Sequence, residues 1–292
     1  MYLILYTKEN KKSILLIFMF VWSIFMLRVA RQAKILQMIN DRGFIENEEL
    51  AKIFEVTQTT IRRDLKTLVE QKLIKLDHGG SYNLDLLDSS VEPLYETKVY
   101  LNHERKHAIG AKAASLVRDG DSIFLDSGTT IVEVAHQLKH SKLKNLTVIT
   151  CDLMVAKDLG SEPNITVVML GGTLRKSYYS VYGPYTEYIL SNITATKLFL
   201  GIDAANMNSG IFNTVLEEVP IKQLMIRHSD EVFLVSDSSK FGKKALHKVC
   251  SWEEIDHIIS DCNVSQEYLD FFKQKNINLL VAPEKFISQE DE

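Results

Sequence analysis

The stretch of residues 47–68 constrains the fold more than any other, because it has the pattern of two short helices joined by a tight turn. Thr57 stands at the start of the second helix, where its side chain can accept a hydrogen bond from a free backbone N–H of the first turn. The apolar residues of that helix recur at a spacing that places them on one face; they are Ile61, Leu65, Leu68 and Val69. The pattern therefore predicts a helical hairpin with one buried stripe.

The opposite face of the second helix is polar and suits the major groove of double-stranded DNA. Arg can bind guanine O6 and N7 or a phosphate group, and Thr can contact the methyl group of thymine. An ordinary helical hairpin with a solvated, charged face would show the same pattern. In the DNA-binding interpretation, the residues expected to contact DNA are Thr57, Gln58, Thr59, Thr60, Arg62, Arg63, Lys66, Lys75 and His78.

The segment that follows the second helix favours the DNA-binding interpretation. Residues 73–76 and 81–84 are typical of two short strands, and the His-Gly-Gly sequence at residues 78–80 is a turn signal. Such a hairpin is the wing of a winged helix-turn-helix domain. The run TIRRDL, followed by this wing, resembles the N-terminal domain of the DeoR family of bacterial transcriptional regulators. Two positions depart from the family pattern: Glu55 stands in the turn where glycine is usual, and Thr57 where serine is common.

The charge of the whole chain gives little sign of a nucleic-acid partner. The net charge is −4, and residues 28–88 contain ten basic and ten acidic residues. The basic residues are concentrated on the second helix and the wing, where they can contact phosphates. Three widely spaced cysteines, Cys151, Cys250 and Cys262, suggest neither a disulfide framework nor a metal site, which fits a reducing cytoplasm.

A chain of 292 residues is expected to form two domains. The winged helix-turn-helix domain is predicted to span residues 26–84, and residues 85–105 are predicted to form a linker. The polar second half of this linker, residues 95–105, could form a helix. The second domain is predicted to span residues 106–292.

Residues 1–25 form an N-terminal extension that fits neither predicted domain. Residues 14–27 are apolar except for one serine, and this run is shorter than the roughly 17–20 residues of a membrane-spanning helix. A signal peptide would need a small-residue cleavage site, which is missing here. The three interpretations are a membrane tether, a signal peptide, and an upstream start codon with Met26 as the natural beginning. We favour the third, and we expect a cytoplasmic protein without a membrane partner.

The second half of the chain alternates between strand-like and helical patterns. The strand-like apolar runs are residues 122–126, 146–150, 165–170, 197–203, 231–237, 257–261 and 277–282. Helical patterns lie between most of them, at residues 131–138, 153–159, 217–228 and 266–273. This alternation predicts βαβ units, and therefore an α/β domain with a mainly parallel sheet.

Polar residues follow several of the predicted strands, at the edge where parallel sheets bind ligands. They are Asp126, Ser127, Gly128, Thr129, Thr130, Thr150, Gly171, Gly172, Asp203 and Lys240. In the run DSGTT, the glycine permits close approach of an anion, and the following helix points free N–H groups at the same place. Each loop alone is explained by helix capping and turning, but their convergence predicts a site for a phosphate, with the two carboxylates suited to sugar hydroxyls.

This half of the chain resembles the sensor domain of the DeoR family. The matching runs are KHAIGAKAA, IFLDSGTT, LTVIT, VVMLGGTLR, FLGID and VSDSSKFG. The resemblance implies a fold related to ribose-5-phosphate isomerase and a sugar phosphate as effector, with neither a cofactor nor a metal. It also implies a homo-oligomer (a dimer or a tetramer) that regulates transcription, more often as a repressor, and that releases its operator when the effector binds.

A sugar-phosphate isomerase or transferase is the main alternative, since the same cleft could support chemistry. An isomerase needs a base next to the substrate carbonyl and a group that stabilises the enediolate. The related isomerases have two acids at the position of FLGID, followed by a glycine-rich loop that contains lysine. Leu200 and residues 204–210 provide neither the second acid nor the lysine. We therefore expect no catalytic residues and no enzymatic activity.

Overall fold

The computed structural model of the chain describes residues 27–77, 80–83 and 92–283. The predicted N-terminal extension lies outside these residues. Among the described residues, the chain divides into two compact units, one made of residues 27–83 with Glu96–Leu101, and the other of residues 92–95 with residues 102–283. No helix in the described ranges is long and apolar enough to cross a membrane.

Three helices of the first unit share one apolar core. Helix α1 covers residues 27–42, α2 covers Asn47–Ile53 and α3 covers Gln58–Glu70. The core residues recur at helical spacing on each of them, and they include Ile35, Leu36, Ile39, Leu50, Ile61, Leu65 and Leu68. The buried stripe predicted for α3 is therefore present, with Val69 half-buried at its end.

A three-stranded antiparallel sheet belongs to the same unit. Strands β2 (Ile74–Asp77) and β3 (Gly80–Asn83) form the predicted hairpin. Strand β1 (Phe44–Glu46) pairs with the other side of β3, which gives the order β1-β3-β2. The sequence pattern predicted no strand at this position, because a strand of three residues is too short for alternation to be recognised.

The helix considered for residues 95–105 is not a single helix, because two helices meet there. Helix α4 covers Tyr95–Tyr100, and α5 begins at His103. Between them Asn102 has a φ angle of +52°, in the left-handed region that asparagine tolerates better than most residues. Its side-chain amide donates a hydrogen bond to Asp237 at 3.1 Å. The break between α4 and α5 therefore coincides with a hydrogen bond between residues that are far apart in sequence.

The second unit contains twelve strands and six helices in its described part. The strands are β4 (Ser122–Leu125), β5 (Leu146–Thr150), β6 (Ile165–Met169), β7 (Thr173–Leu174), β8 (Val181–Tyr182), β9 (Ala195–Leu200), β10 (Ala204–Asn206), β11 (Gly210–Asn213), β12 (Ser229–Val235), β13 (His247–Cys250), β14 (His257–Ser260) and β15 (Asn278–Val281). The helices are α5 (His103–Ala114), α6 (Thr129–Lys139), α7 (Leu153–Leu159), α8 (Pro184–Leu190), α9 (Val219–Arg227) and α10 (Gln266–Gln274).

Seven of these strands form one parallel sheet, in the order β15-β14-β12-β9-β4-β5-β6. All seven lie where the sequence predicted a strand, and the predicted α/β fold class is confirmed. The chain moves outward from β4 to β6, returns to the other side of β4 with β9, and then moves outward to β15. The strand order therefore reverses between β4 and β9, where open α/β sheets bind their ligands.

Alternate residues of the central strands face two separate apolar layers. Phe124, Leu198 and Leu200 belong to one layer, whereas Ile123 and Phe199 belong to the other. Period-two alternation of side chains produces this division, and helices cover the sheet on both faces. Two small antiparallel sheets, β10-β11-β13 and β7-β8, lie outside the parallel sheet and were not predicted.

Candidate functional site

The first turn of helix α3 is fixed by the residue that the sequence indicated as its cap. Thr57 has an extended backbone, and its Oγ1 accepts a hydrogen bond from the backbone N–H of Thr60 at 3.2 Å. The hydroxyl groups of the two threonines also lie 3.0 Å apart. Both hydroxyls therefore have a partner within the turn, and their contact with DNA stays a prediction.

The polar face of α3 is exposed to solvent. Its exposed residues are Gln58, Thr59, Arg62, Arg63 and Lys66. Neither arginine forms an ion pair with another described residue, while the Lys66 ammonium lies 3.9 Å from a Glu70 carboxylate oxygen. Two guanidinium groups on one exposed face have the donors that phosphates and guanine edges accept.

Asp64 follows these arginines in sequence but points into the unit. Its carboxylate accepts hydrogen bonds from Arg31 Nε at 2.6 Å and from Gln32 Nε2 at 3.0 Å, and Arg28 Nε lies 3.4 Å away. All three partners are on α1, so Asp64 attaches α1 to α3. The same residues balance its charge, and it therefore offsets little of the positive charge on the exposed face.

The wing supplies one described candidate for DNA contact. Lys75 is exposed on β2. His78 lies outside the described residues. The described part of the candidate DNA interface therefore consists of the exposed face of α3 together with Lys75.

Three adjacent strands of the parallel sheet end at the predicted effector site. Asp126 follows β4, Asp152 is the second residue after β5, and Gly201 follows β9. The Asp126 carboxylate accepts a hydrogen bond from the backbone N–H of Gly201 at 2.9 Å. The loops on the two sides of the strand-order reversal are thereby joined by a side chain of the DSGTT run.

Lys222 of α9 forms a buried ion pair with Asp126. Its ammonium lies 2.5 Å from the Asp126 carboxylate and donates to the Gly201 carbonyl at 3.0 Å. Burial alone would lower the pKa of Lys222, but the carboxylates of Asp126 and Glu218 hold it above its ordinary value. The lysine therefore carries its charge and fixes the two loops to one helix.

The DSGTT loop turns into α6 through a glycine with a left-handed backbone. Gly128 is the N-cap of α6, and its φ angle of +117° is unfavourable for residues with a side chain. Its N–H donates to the Asp152 carboxylate at 3.0 Å. Asp152 also caps α7 by accepting from Met154 and Val155, and burial raises the pKa of Asp152 to about 6 despite these donors. The DSGTT loop is thus tied to the loop after β5.

Glu218 and Arg175 form a second, largely buried ion pair next to the Lys222–Asp126 pair. The Glu218 carboxylate accepts from Arg175 Nη1 at 2.9 Å, from Ser180 Oγ at 2.9 Å and from Asn213 Nδ2 at 3.0 Å. Burial alone would raise the pKa of Glu218, but Lys222 and Arg175 hold it below its ordinary value. Glu218 precedes α9 directly, so it and Lys222 are four residues, about one helical turn, apart.

The other predicted effector residues differ in their surroundings. Thr150 is buried, and its Oγ1 accepts from the Asp152 N–H at 3.0 Å. Asp203 is half-buried and accepts from the Thr214 N–H at 2.9 Å. In the DSGTT loop, Thr129 is buried, while the half-buried residues are Ser127, Gly128 and Thr130. These residues lie at or just beyond the ends of β4, β5 and β9.

Gly172 and Lys240 lie apart from this group. Gly171 and Gly172 are both exposed, but a Cβ atom at Gly172 would lie 2.2 Å from Thr186 Oγ1, so this glycine is required by packing against α8, whereas a Cβ atom at Gly171 would meet nothing within 4 Å. Lys240 is half-buried after β12, which β9 separates from β4. Burial alone would raise the pKa of Asp237, but Lys240 is the main charge that holds it below its ordinary value. Lys240 therefore has an acidic neighbour of its own.

Sequence reasoning missed the charged residues that organise this edge of the sheet, namely Arg175, Glu218 and Lys222. The sequence contained one sign that Lys222 is a buried charge. Lys222 is three residues from Val219 and three from Met225, so it occupies a position of the apolar face of α9. A lysine on such a face indicates a buried charge with an acidic partner, although the sequence does not identify the partner.

A cavity of about 320 Å³ lies elsewhere in the second unit, near the amino ends of several strands. Its lining residues are Leu116, Arg118, Lys197, Glu231, Phe233, His257, Asn278 and Leu280. None of the predicted site residues lines it. Among the residues that the structure describes, no group of His, Cys, Asp and Glu side chains is arranged to hold a metal ion.

Two family models match the chain: the DeoR-like helix-turn-helix domain over residues 31–85, and the DeoR C terminal sensor domain over residues 101–262. The glycerol-3-phosphate regulon repressor of Escherichia coli (strain K12) is 33% identical over 237 residues, which cover 81% of this chain and 92% of that protein. The HTH-type transcriptional regulator GlpR of Haloferax volcanii is 33% identical over 236 residues, which cover 81% of this chain and 91% of that protein.

Solved structures give a weaker match. Ribose 5 phosphate isomerase A from Neisseria gonorrhoeae aligns with a TM-score of 0.35 and 18% identity, over 47% of this chain and 53% of that protein. A DNA-binding helix-turn-helix unit followed by an α/β sensor unit defines a transcriptional regulator and not an enzyme. The chain belongs to the DeoR family of transcriptional regulators, as its sequence motifs predicted.

Proposed function

We propose that this regulator represses an operon for sugar metabolism and that a phosphorylated sugar relieves the repression. In this proposal α3 and the wing bind the operator, and the loops after β4, β5 and β9 bind the effector. The protein acts in the cytoplasm as a homo-oligomer. The proposed domains are residues 26–84 for DNA binding, residues 85–105 as linker and residues 106–292 for sensing.

One observation carries the assignment of the effector site: the DSGTT loop lies at the reversal of strand order, between β4 and β9. The first turn of α6 has backbone N–H groups without an acceptor in the helix, as every helix start does, and its dipole favours an anion. Thr129 and Thr130 add hydroxyl groups at the same end. A phosphate group fits these donors.

The sugar part of the ligand is assigned to the carboxylates at the same edge. Asp203 follows β9 closely and is half-buried, so one side of it faces solvent. Carboxylates accept hydrogen bonds from hydroxyl groups and repel phosphate, so they favour a sugar next to the phosphate and not a second anion. The relatives named above support a regulatory role, and one of them is named for a phosphorylated polyol.

Calorimetry on the full chain tests the ligand class. The titrants are a panel of sugar phosphates, glycerol 3-phosphate, the corresponding sugars without phosphate, and inorganic phosphate. We expect one phosphorylated compound to bind, and its parent sugar to bind far more weakly. A panel in which no phosphorylated compound binds, or in which a parent sugar binds equally well, would contradict the proposal.

Substitution of Thr129 locates the phosphate. T129A removes one hydroxyl donor, and a hydrogen bond to a charged group contributes about 1.5–3 kcal/mol. T166A is the matched control, because Thr166 is exposed on the edge strand β6. Affinity for the phosphorylated ligand should fall in T129A and stay unchanged in T166A. Equal affinities in T129A and the wild type would place the phosphate elsewhere.

A further inference from the structure

We infer that Arg175 couples the effector site to residues 92–95, the segment that leads into α4. The inference rests on the proposed function, because it gives the effector site a route for its signal. Arg175 follows β7 directly, its side chain is 15% exposed, and its guanidinium carbon lies 3.8 Å from the centre of the Tyr178 ring. The ring holds the guanidinium in place between two carboxylates, those of Glu92 and Glu218.

The turn between β7 and β8 holds residues 92–95 through three contacts. Arg175 Nη2 forms an ion pair with the Glu92 carboxylate. The Tyr178 hydroxyl donates to the Glu92 carbonyl at 3.0 Å. The rings of Tyr95 and Tyr179 meet edge to face, with centroids 5.1 Å apart. Of these contacts, the ion pair is the one that continues to the effector site.

On its other side Arg175 reaches that site through two further charges. Its Nη1 donates to Glu218, and Glu218 lies one helical turn from Lys222. Lys222 in turn binds the carboxylate of Asp126, the first residue of the DSGTT run. The attraction between the Glu218 and Lys222 charges joins the Glu92–Arg175–Glu218 contacts to the Lys222–Asp126 pair, so the five side chains form a row of alternating charge.

Such a row transmits a change at one end, because a buried charge that loses one partner strengthens its interaction with the other. A ligand anion that attracts Lys222 leaves Glu218 with less positive charge nearby. The Glu218–Arg175 interaction then becomes stronger, and the Arg175–Glu92 ion pair becomes weaker. Residues 92–95 are loosened as a result. Removal of the charge of Asp126 has the opposite effect. Lys222 then interacts more strongly with Glu218, the Glu218–Arg175 interaction weakens, and the Arg175–Glu92 pair becomes stronger.

Hydrogen exchange of the full chain, measured by mass spectrometry on peptides that cover residues 92–100, tests this row without any ligand. R175Q and E92Q should both accelerate exchange there. R227Q is the matched control, since Arg227 is exposed in the last turn of α9 and takes the same substitution. Unchanged exchange in R175Q would overturn the inference, as would equal acceleration in R227Q.

Double variants decide whether the effector site is connected. We expect D126N to slow exchange of this segment by about fivefold or more, the lower end of usual allosteric coupling. In the R175Q background D126N should have almost no effect. Asp203 is another neighbour of Lys222, and D203N gives a second, less buried change that should act in the same direction. No effect of both variants, or an equal effect in R175Q, would refute the coupling.

The same measurements separate this inference from the proposed function. If no phosphorylated sugar binds but D126N acts only through Arg175, the coupling stands and the ligand assignment fails. If a phosphorylated sugar binds and D126N has the same effect in R175Q as in the wild type, the ligand assignment stands and Arg175 is excluded as the route.

Discussion

The charged residues of α3 and those at the β4–β9 edge differ in how they are satisfied. Arg62 and Arg63 are exposed and have no ion pair with a described residue, whereas Lys222 is buried against Asp126. An exposed guanidinium exchanges its counterions for DNA phosphates at little energetic cost. A buried pair has lost its water and is held in one geometry. The first arrangement suits direct contact with a ligand, and the second suits the positioning of loops.

Asp64 shows that both arrangements occur within one short run. In TIRRDL the two arginines are exposed, while the next residue is buried against Arg31 of α1. Charge counted along the sequence therefore misjudges the surface charge. The exposed face of α3 is more positive than the composition of residues 28–88 suggests.

The largest expected effect is the loss of the Lys222 charge. K222M leaves the Asp126 carboxylate buried without its partner, and removal of one member of a buried ion pair costs about 3–5 kcal/mol. We expect a loss of this size in the free energy of unfolding, measured by urea denaturation. K275M, which breaks an exposed pair with Glu253, should cost far less, because solvent screens exposed charges. Similar losses in both variants would remove the contrast between buried and exposed ion pairs.

The next effect concerns the exposed arginines of α3. R62A and R63A should each weaken operator binding by about 1–3 kcal/mol if the residue reads a base, or weaken binding to all sequences alike if it contacts phosphate. The free energy of unfolding should change by less than about 0.5 kcal/mol, because both side chains are exposed. A mobility-shift assay on an operator selected from host DNA gives the affinity.

R42A is the control for this pair. Arg42 is also exposed, but it ends α1 and pairs with Glu49 at 2.7 Å. Operator binding should be nearly unchanged in R42A. Full operator affinity in the R62A/R63A double variant would contradict the assignment of α3 as the DNA-contacting helix.

Asp152 should make the stability of the second unit depend on pH. Its pKa of about 6 lies above that of the unfolded chain, so the folded state binds the proton more tightly. The stabilisation is full below the unfolded pKa and is lost as the pH rises through about 6. One pKa unit corresponds to about 1.4 kcal/mol. The wild type should therefore lose a few kcal/mol relative to D152N between about pH 4 and pH 7.

Urea denaturation of both proteins across this pH range measures the difference. The comparison with D152N cancels the contributions of the other titrating groups that the two proteins share. Parallel stability curves for the wild type and D152N would show that the backbone donors to Asp152 fully offset its burial and leave its pKa unshifted.

The sequence contained enough to place the strands and the DSGTT loop, because period-two alternation and loop composition are local. It did not reveal the Lys222–Asp126 pair, whose members are 96 residues apart and whose contact depends on how α9 packs on the sheet. β1 and β7 were missed because strands of two or three residues have too few positions for a period to appear. The sequence therefore predicted the loops of the candidate site but not the buried charged residues that position them.

The smallest expected effect is in the turn before α3, where a backbone angle and not a charge decides the outcome. Glu55 has a φ angle of +53°, in the left-handed region that residues with a side chain adopt at a cost of roughly 1–2 kcal/mol. Glycine adopts this region freely, although it also gains entropy in the unfolded chain. E55G should therefore stabilise the first unit by about 0.5–1 kcal/mol. E55A removes the same charge but keeps the strain, so it should give no such gain. Thermal unfolding of the wild type and both variants measures this, and equal stabilisation by E55A and E55G would mean that the charge of Glu55, and not its backbone angle, is unfavourable.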